Sequence, residues 1–125
     1  MKVRFHHSSV RMRLTQSEVA QFQEEGLVLF NLPLLPQSLE VTLQVAAQQN
    51  QLTATFDQGK LDIQVPQELG TEWASTSQVS LSTSITVSAT DQIELLIEKD
   101  FKCLHRDSLE DVDTFPHPNQ QVKLN

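Results

Sequence analysis

The sequence has one cysteine, Cys103, so no disulfide can form within the chain and a reducing compartment is the natural expectation. Tyrosine is absent and tryptophan occurs once, which deprives the basic residues of the stacking platforms that single-stranded nucleic acids need. Three dispersed glycines cannot build a phosphate-cradling loop. No apolar run approaches the roughly 20 residues that cross a bilayer; the longest lie around Leu27 to Leu35 and Leu95 to Ile97. The first residues, Met-Lys-Val-Arg-Phe-His-His, put charge and imidazole where a signal peptide needs a continuous apolar core. A cleaved leader is therefore not expected, and a cytoplasmic location is the default.

What remains is a chain of 125 residues, the size of one domain. Its net charge of −7 opposes nonspecific attraction to nucleic acid or to an anionic membrane. The charges are unevenly placed. Lys2, Arg4, Arg11 and Arg13 precede the first acidic residue, Glu18, while Glu94, Glu98, Asp100, Asp107, Glu110, Asp111 and Asp113 crowd the last third. Either the two ends neutralise each other within the fold, or the basic residues form an anion site.

Val3 and Phe5, then Val10, Met12 and Leu14, alternate with basic residues, the period of two half-buried strands joined by a turn over His6 to Ser9. Thr15-Gln16-Ser17-Glu18 has the form of a capping box, with Leu14 and Val19 spaced for a hydrophobic staple. The helix it starts should carry Val19 and Phe22 on one face and stop at Gly26. Leu27 to Leu32 suits a strand, and Pro33 and Pro36 bracket a loop. Leu39 to Val45, Leu52 to Phe56 and Leu61 to Val65 alternate as strands, with a tight turn at Asp57-Gln58-Gly59. Pro66 fits the first turn of a short helix carrying Leu69 and Trp73, although Gly70 costs such a helix about 1 kcal/mol relative to alanine. Two further strands end in Ile93, Leu95 and Ile97. No internal repeat is evident.

Three constellations could carry chemistry. Arg4, Arg11 and Arg13, with Lys99 arriving from the last strand, could converge on phosphate or carboxylate oxygens through guanidinium forks; the simpler alternative pairs Glu94 and Glu98 with this stripe. Cys103, His105 and His117, with one of Asp107, Asp111 or Asp113, could ligate a metal, although the spacing matches no standard site. Cys103 could also act as a nucleophile activated by His105 or His6, with Lys99, Lys102 and Arg106 supplying positive charge. A buried, inert thiol is the plainer alternative for both.

Lys2-Val-Arg-Phe5, the run Ser9-Val-Arg-Met-Arg-Leu-Thr-Gln-Ser-Glu-Val19, Glu98-Lys-Asp-Phe-Lys-Cys-Leu104 and Phe115-Pro-His-Pro118 resemble a family of small bacterial proteins known as a domain of unknown function. The resemblance covers most of the chain and is most specific at its ends. It implies one cytoplasmic domain and brings no activity, substrate or cofactor. Asparagine commonly stands in that family where this chain has His117, which counts against His117 as a ligand.

The expected architecture is α+β: a curved, mainly antiparallel sheet of consecutive hairpins, with one capped helix near the N-terminus and one short helix in the middle. Residues 1–106 would form the domain and 107–125 an acidic, proline-containing tail. The expected function is a non-catalytic module for a protein or small anionic ligand, without cofactor, nucleic acid or membrane, and with edge pairing into a homodimer left open. The alternative is a small enzyme or metalloprotein built on Cys103.

Overall fold

The computed structural model describes residues 1–100. Eight strands and two helices follow in the order β1 (Lys2–His6), β2 (Ser9–Leu14), α1 (Gln16–Glu25), β3 (Leu27–Leu32), β4 (Leu39–Ala46), β5 (Thr53–Asp57), β6 (Lys60–Pro66), α2 (Gln67–Ser75), β7 (Ser80–Thr86) and β8 (Gln92–Lys99). The class is α+β. The strands do not form a single sheet of consecutive hairpins, however: they form two four-stranded sheets, ordered β1-β2-β8-β7 and β3-β4-β6-β5. In each sheet two antiparallel pairs are joined at the centre by a parallel pair, β2 with β8 and β4 with β6. Alternation predicts a strand and its buried face, but it carries no information on a partner most of the chain away.

This topology contains a repeat that the residue identities conceal. A ββαββ arrangement occurs twice, as β1-β2-α1-β3-β4 and β5-β6-α2-β7-β8, and the inner strands of each copy pair with those of the other. From the first strand to the helix the two copies run at a constant separation, which matches Phe5 with Phe56, Met12 with Ile63, Leu14 with Val65 and Phe22 with Trp73. Size and polarity persist at these positions while identity mostly does not. On the outer faces even polarity is lost, since Arg11 corresponds to Asp62 and Arg13 to Gln64.

Helix α1 starts as the capping box requires: Thr15 Oγ1 accepts from the Glu18 amide at 3.3 Å and Glu18 Oε1 accepts from the Thr15 amide at 2.9 Å. It stops at Gly26, whose φ of 75° is the left-handed C′ conformation and whose N–H donates to the Phe22 carbonyl at 2.8 Å. Helix α2 follows β6 without a linker, and Pro66 serves both as the last residue of β6 and as the helix N-cap. Its buried face is Gly70 and Trp73, while the expected Leu69 is 37% exposed.

One core joins both sheets and both helices, with Met12, Leu14, Val41, Leu43, Ile63, Val65, Trp73 and Ile97 fully buried. Phe22 and Trp73 meet edge to face at 5.8 Å where the helices pack. Gly70 is the residue that permits this approach: a Cβ there would lie 3.1 and 3.2 Å from the Phe22 ring and 3.3 Å from Val65 Cγ1. Gly70→Ala should therefore destabilise the protein by about 1–3 kcal/mol, because overpacking against two buried side chains outweighs the gain in helix propensity. Urea unfolding of the two proteins checks this; a variant more stable than wild type would refute the packing account.

Candidate functional site

The basic residues of the N-terminal hairpin share one face of the first sheet because of strand parity. Val3, Val10, Met12, Leu14, Leu95 and Ile97 turn inward; Lys2, Arg4, Arg11, Arg13, Glu94, Leu96 and Glu98 turn outward. In the antiparallel register Arg4 stands opposite Arg11, and Lys2 opposite Arg13. Like charges directly opposed on one face oppose strand pairing. What offsets this repulsion comes from β8, whose parallel register sets Glu98 beside Arg13.

Glu98 Oε2 accepts from Arg13 Nε and from Arg11 Nε, both at 2.8 Å, and lies 2.8 Å from Arg11 Nη2. Burial alone would raise this carboxyl, but the hydrogen bonds and positive charge of Arg13 and Arg11 outweigh it and hold the group below its ordinary value. Asp100, the next outward position, lies 3.3 Å from Lys2 Nζ and 4.0 Å from Arg13 Nη1. Of the three carboxylates on this face, Glu98 and Asp100 are the two drawn to these four cations, while Glu94 is engaged by Ser84. Among the described residues Arg4 has no carboxylate within ion-pair distance. Lys2, Val3, Arg4, Arg11 and Arg13 line one surface depression, and Arg4, His6, Ser9 and Arg11 line a second. Arg4 and Arg11 are common to both.

The expected convergence is therefore partial. Arg4, Arg11 and Arg13 come together, but Lys99 does not join them. It has the inward parity of Leu95 and Ile97, and its ammonium sits 5.8 Å from the Trp73 ring centre while donating to the Thr76 carbonyl at 2.7 Å. Its role is to hold the segment after α2. Glu98 pairs with the stripe as the simpler alternative had it, whereas Glu94 accepts from Ser84 Oγ at 2.8 Å on the far side of the strand. Asp100 was legible in principle, since it continues the outward series 94, 96, 98. The metal and thiol constellations at Cys103, His105 and His117, and the boundary at residue 106, lie outside the described residues.

The second sheet carries a different polar cluster at the equivalent place. The Asp62 carboxylate accepts from Thr42 Oγ1 at 2.5 Å, Gln44 Nε2 at 2.9 Å and Gln64 Nε2 at 2.9 Å. Desolvation pushes this carboxyl up, but those three hydrogen bonds prevail and hold it below its ordinary value. Here the charge is internally satisfied by neutral donors, so the cluster binds the strands together and offers no unpaired cation. Composition gave no signal for it.

Among the described residues no three His, Cys, Asp or Glu side chains gather as a metal site, and no helix is long and apolar enough to cross a membrane. A search of curated proteins and of solved structures finds no match. A family model does match, over residues 1–119, and the chain belongs to the family of unknown function DUF7009.

Proposed function

We propose that this protein is a non-catalytic module that binds an anionic group, carried by a small molecule or by an acidic protein segment, on the outer face of the β1–β2 hairpin. The observation that carries this reading is the direct opposition of Arg4 and Arg11, of which, among the described residues, only Arg11 has a carboxylate partner. An anion seated between the two guanidiniums relieves their repulsion and accepts bidentate hydrogen bonds from either. Ser9 and His6 border the same depression; the Ser9 hydroxyl donates to the His6 carbonyl at 2.8 Å, which leaves the His6 ring N–H as the further donor. Glu98 hydrogen-bonds Arg11 and Arg13 and partly neutralises them, so it competes with an incoming anion for the same guanidiniums.

The test uses inorganic pyrophosphate and a hexaglutamate peptide as probes, followed by backbone NMR. Amide shifts should concentrate at Arg4, Ser9 and Arg11, and Arg4→Glu should weaken either probe by about tenfold or more, a change of about 1.4 kcal/mol. The effect should shrink as salt screens these exposed charges. Shifts scattered over the second sheet, or unchanged affinity in Arg4→Glu, would overturn the proposal.

A further inference from the structure

We propose that two copies of this chain associate through the β3 edge, in antiparallel register centred on Leu29, so that two four-stranded sheets become one of eight strands. Among the described residues β3 lies at the edge of its sheet, and it reads Leu-Val-Leu-Phe-Asn-Leu, with no charged side chain. The β1 edge of the other sheet is different, because β1 carries Lys2 and Arg4, and lysine or arginine on an edge discourages pairing with another chain. A β1–β1 dimer would bring like charges together; a β3–β3 dimer brings none.

The direction of the free backbone groups selects the register. Val45 donates its N–H to the Gly26 carbonyl at 2.9 Å, one step before the Leu27 and Gln44 pair. Alternation then turns the backbone groups of Val28, Phe30 and Leu32 toward β4, and those of Leu27, Leu29 and Asn31 toward the open edge. A two-fold axis through Leu29 sets Leu29 against its own copy and Leu27 against Asn31, which uses all three outward residues. An axis through Phe30 instead sets Leu27 against Pro33, which has no N–H to give.

The strand and the loop after it also expose several leucines. Leu27, Leu29 and Leu32 are 38%, 47% and 44% exposed, and Leu34 and Leu35 in the following loop are 52% and 95% exposed. At roughly 200 Å² for a fully exposed leucine these five offer about 550 Å² per copy, so a symmetric contact that covered both the strand and the loop would just clear the lower bound of about 1,000 Å² for a specific interface.

The experiment is analytical ultracentrifugation of the full chain together with cysteine cross-linking in a Cys103→Ser background. The wild type should sediment at twice its 14.1 kDa mass, and Leu29→Lys, an exposed position, should sediment as a monomer with an unchanged circular dichroism spectrum. Leu29→Cys should cross-link on mild oxidation, since a hydrogen-bonded antiparallel pair holds its Cα atoms about 5.5 Å apart, within disulfide range. Asn31→Cys, facing Leu27, should not. A wild type that stays monomeric at about 100 µM, corresponding to a dissociation free energy below about 5.5 kcal/mol, would overturn the proposal. So would a dimer that survives Leu29→Lys, or Asn31→Cys cross-linking as readily as Leu29→Cys.

Discussion

Replacing Trp73 with alanine is expected to lower the free energy of unfolding by about 3–5 kcal/mol, a large share of the 5–15 kcal/mol available to a domain of this kind. Three losses combine. The ring is fully buried and packs edge to face on Phe22, so its removal opens a cavity where the two helices meet. Its Nε1 donates to the Val79 carbonyl at 3.0 Å, which ties α2 to the chain entering β7. Its face also seats the Lys99 ammonium at the end of β8. Trp73→Phe separates these contributions: it retains an aromatic ring and loses the indole N–H, and should cost about 1–3 kcal/mol less than the alanine variant. Because Trp73 is the only tryptophan, unfolding of the variants is followed by far-ultraviolet circular dichroism in urea. A Trp73→Ala protein within about 1 kcal/mol of wild type would contradict the assignment of Trp73 to the junction of helices and sheets.

Glu98→Gln should cost about 1–2 kcal/mol of stability at neutral pH, a figure discounted because both arginine partners are about one third exposed. The variant leaves Arg11 and Arg13 side by side without their counter-ion. The pH dependence follows from the same contacts. Glu98 has a folded value below its ordinary 4.5, and Asp62 below its ordinary 3.8. The unfolded chain therefore binds protons first as the solution acidifies, and the stability these carboxylates supply is present above their ordinary values. It is lost as pH falls through their lower folded values. Wild type should accordingly weaken steeply below about pH 4, while Glu98→Gln, already lacking the group, should weaken less over the same interval. Urea midpoints between neutral and acid pH measure the two slopes. Equal slopes would remove Glu98 from the account.

The contrast between what the sequence disclosed and what it hid follows from the range of the interactions. Local features were legible: the Thr15–Glu18 box, the Gly26 stop, the turn before Lys60 and the inward series Met12, Leu14, Leu95 and Ile97 all arise within a few residues of one another. Partners distant in sequence were not. Nothing in Ser9 to Leu14 says that it lies parallel to Ser9-distant Glu94 to Lys99, and that pairing decides which carboxylate reaches Arg13. The repeat was hidden because burial constrains size and polarity while leaving identity free, so Met12 could become Ile63 and Phe22 could become Trp73. At the candidate site, the basic face and Glu98 were readable from parity. Lys99 carries a charge that suggests the basic face, yet its parity is inward, and a long aliphatic stem lets an inward lysine reach a carbonyl and an aromatic face at the rim of the core. Gly70 looked like a weakness of α2 and is instead the point of closest helix approach.

We propose that the outer face of the first sheet is an anion site whose positive charge is partly held in check by Glu98. Calorimetric titration of inorganic pyrophosphate into wild type, Arg4→Gln and Glu98→Gln tests it most directly. Freeing Arg11 and Arg13 from their internal counter-ion should tighten binding by about tenfold, and removing Arg4 should weaken it by a similar factor. The affinities should therefore rank Glu98→Gln above wild type and wild type above Arg4→Gln. Three indistinguishable affinities, or weaker binding in Glu98→Gln than in wild type, would contradict it.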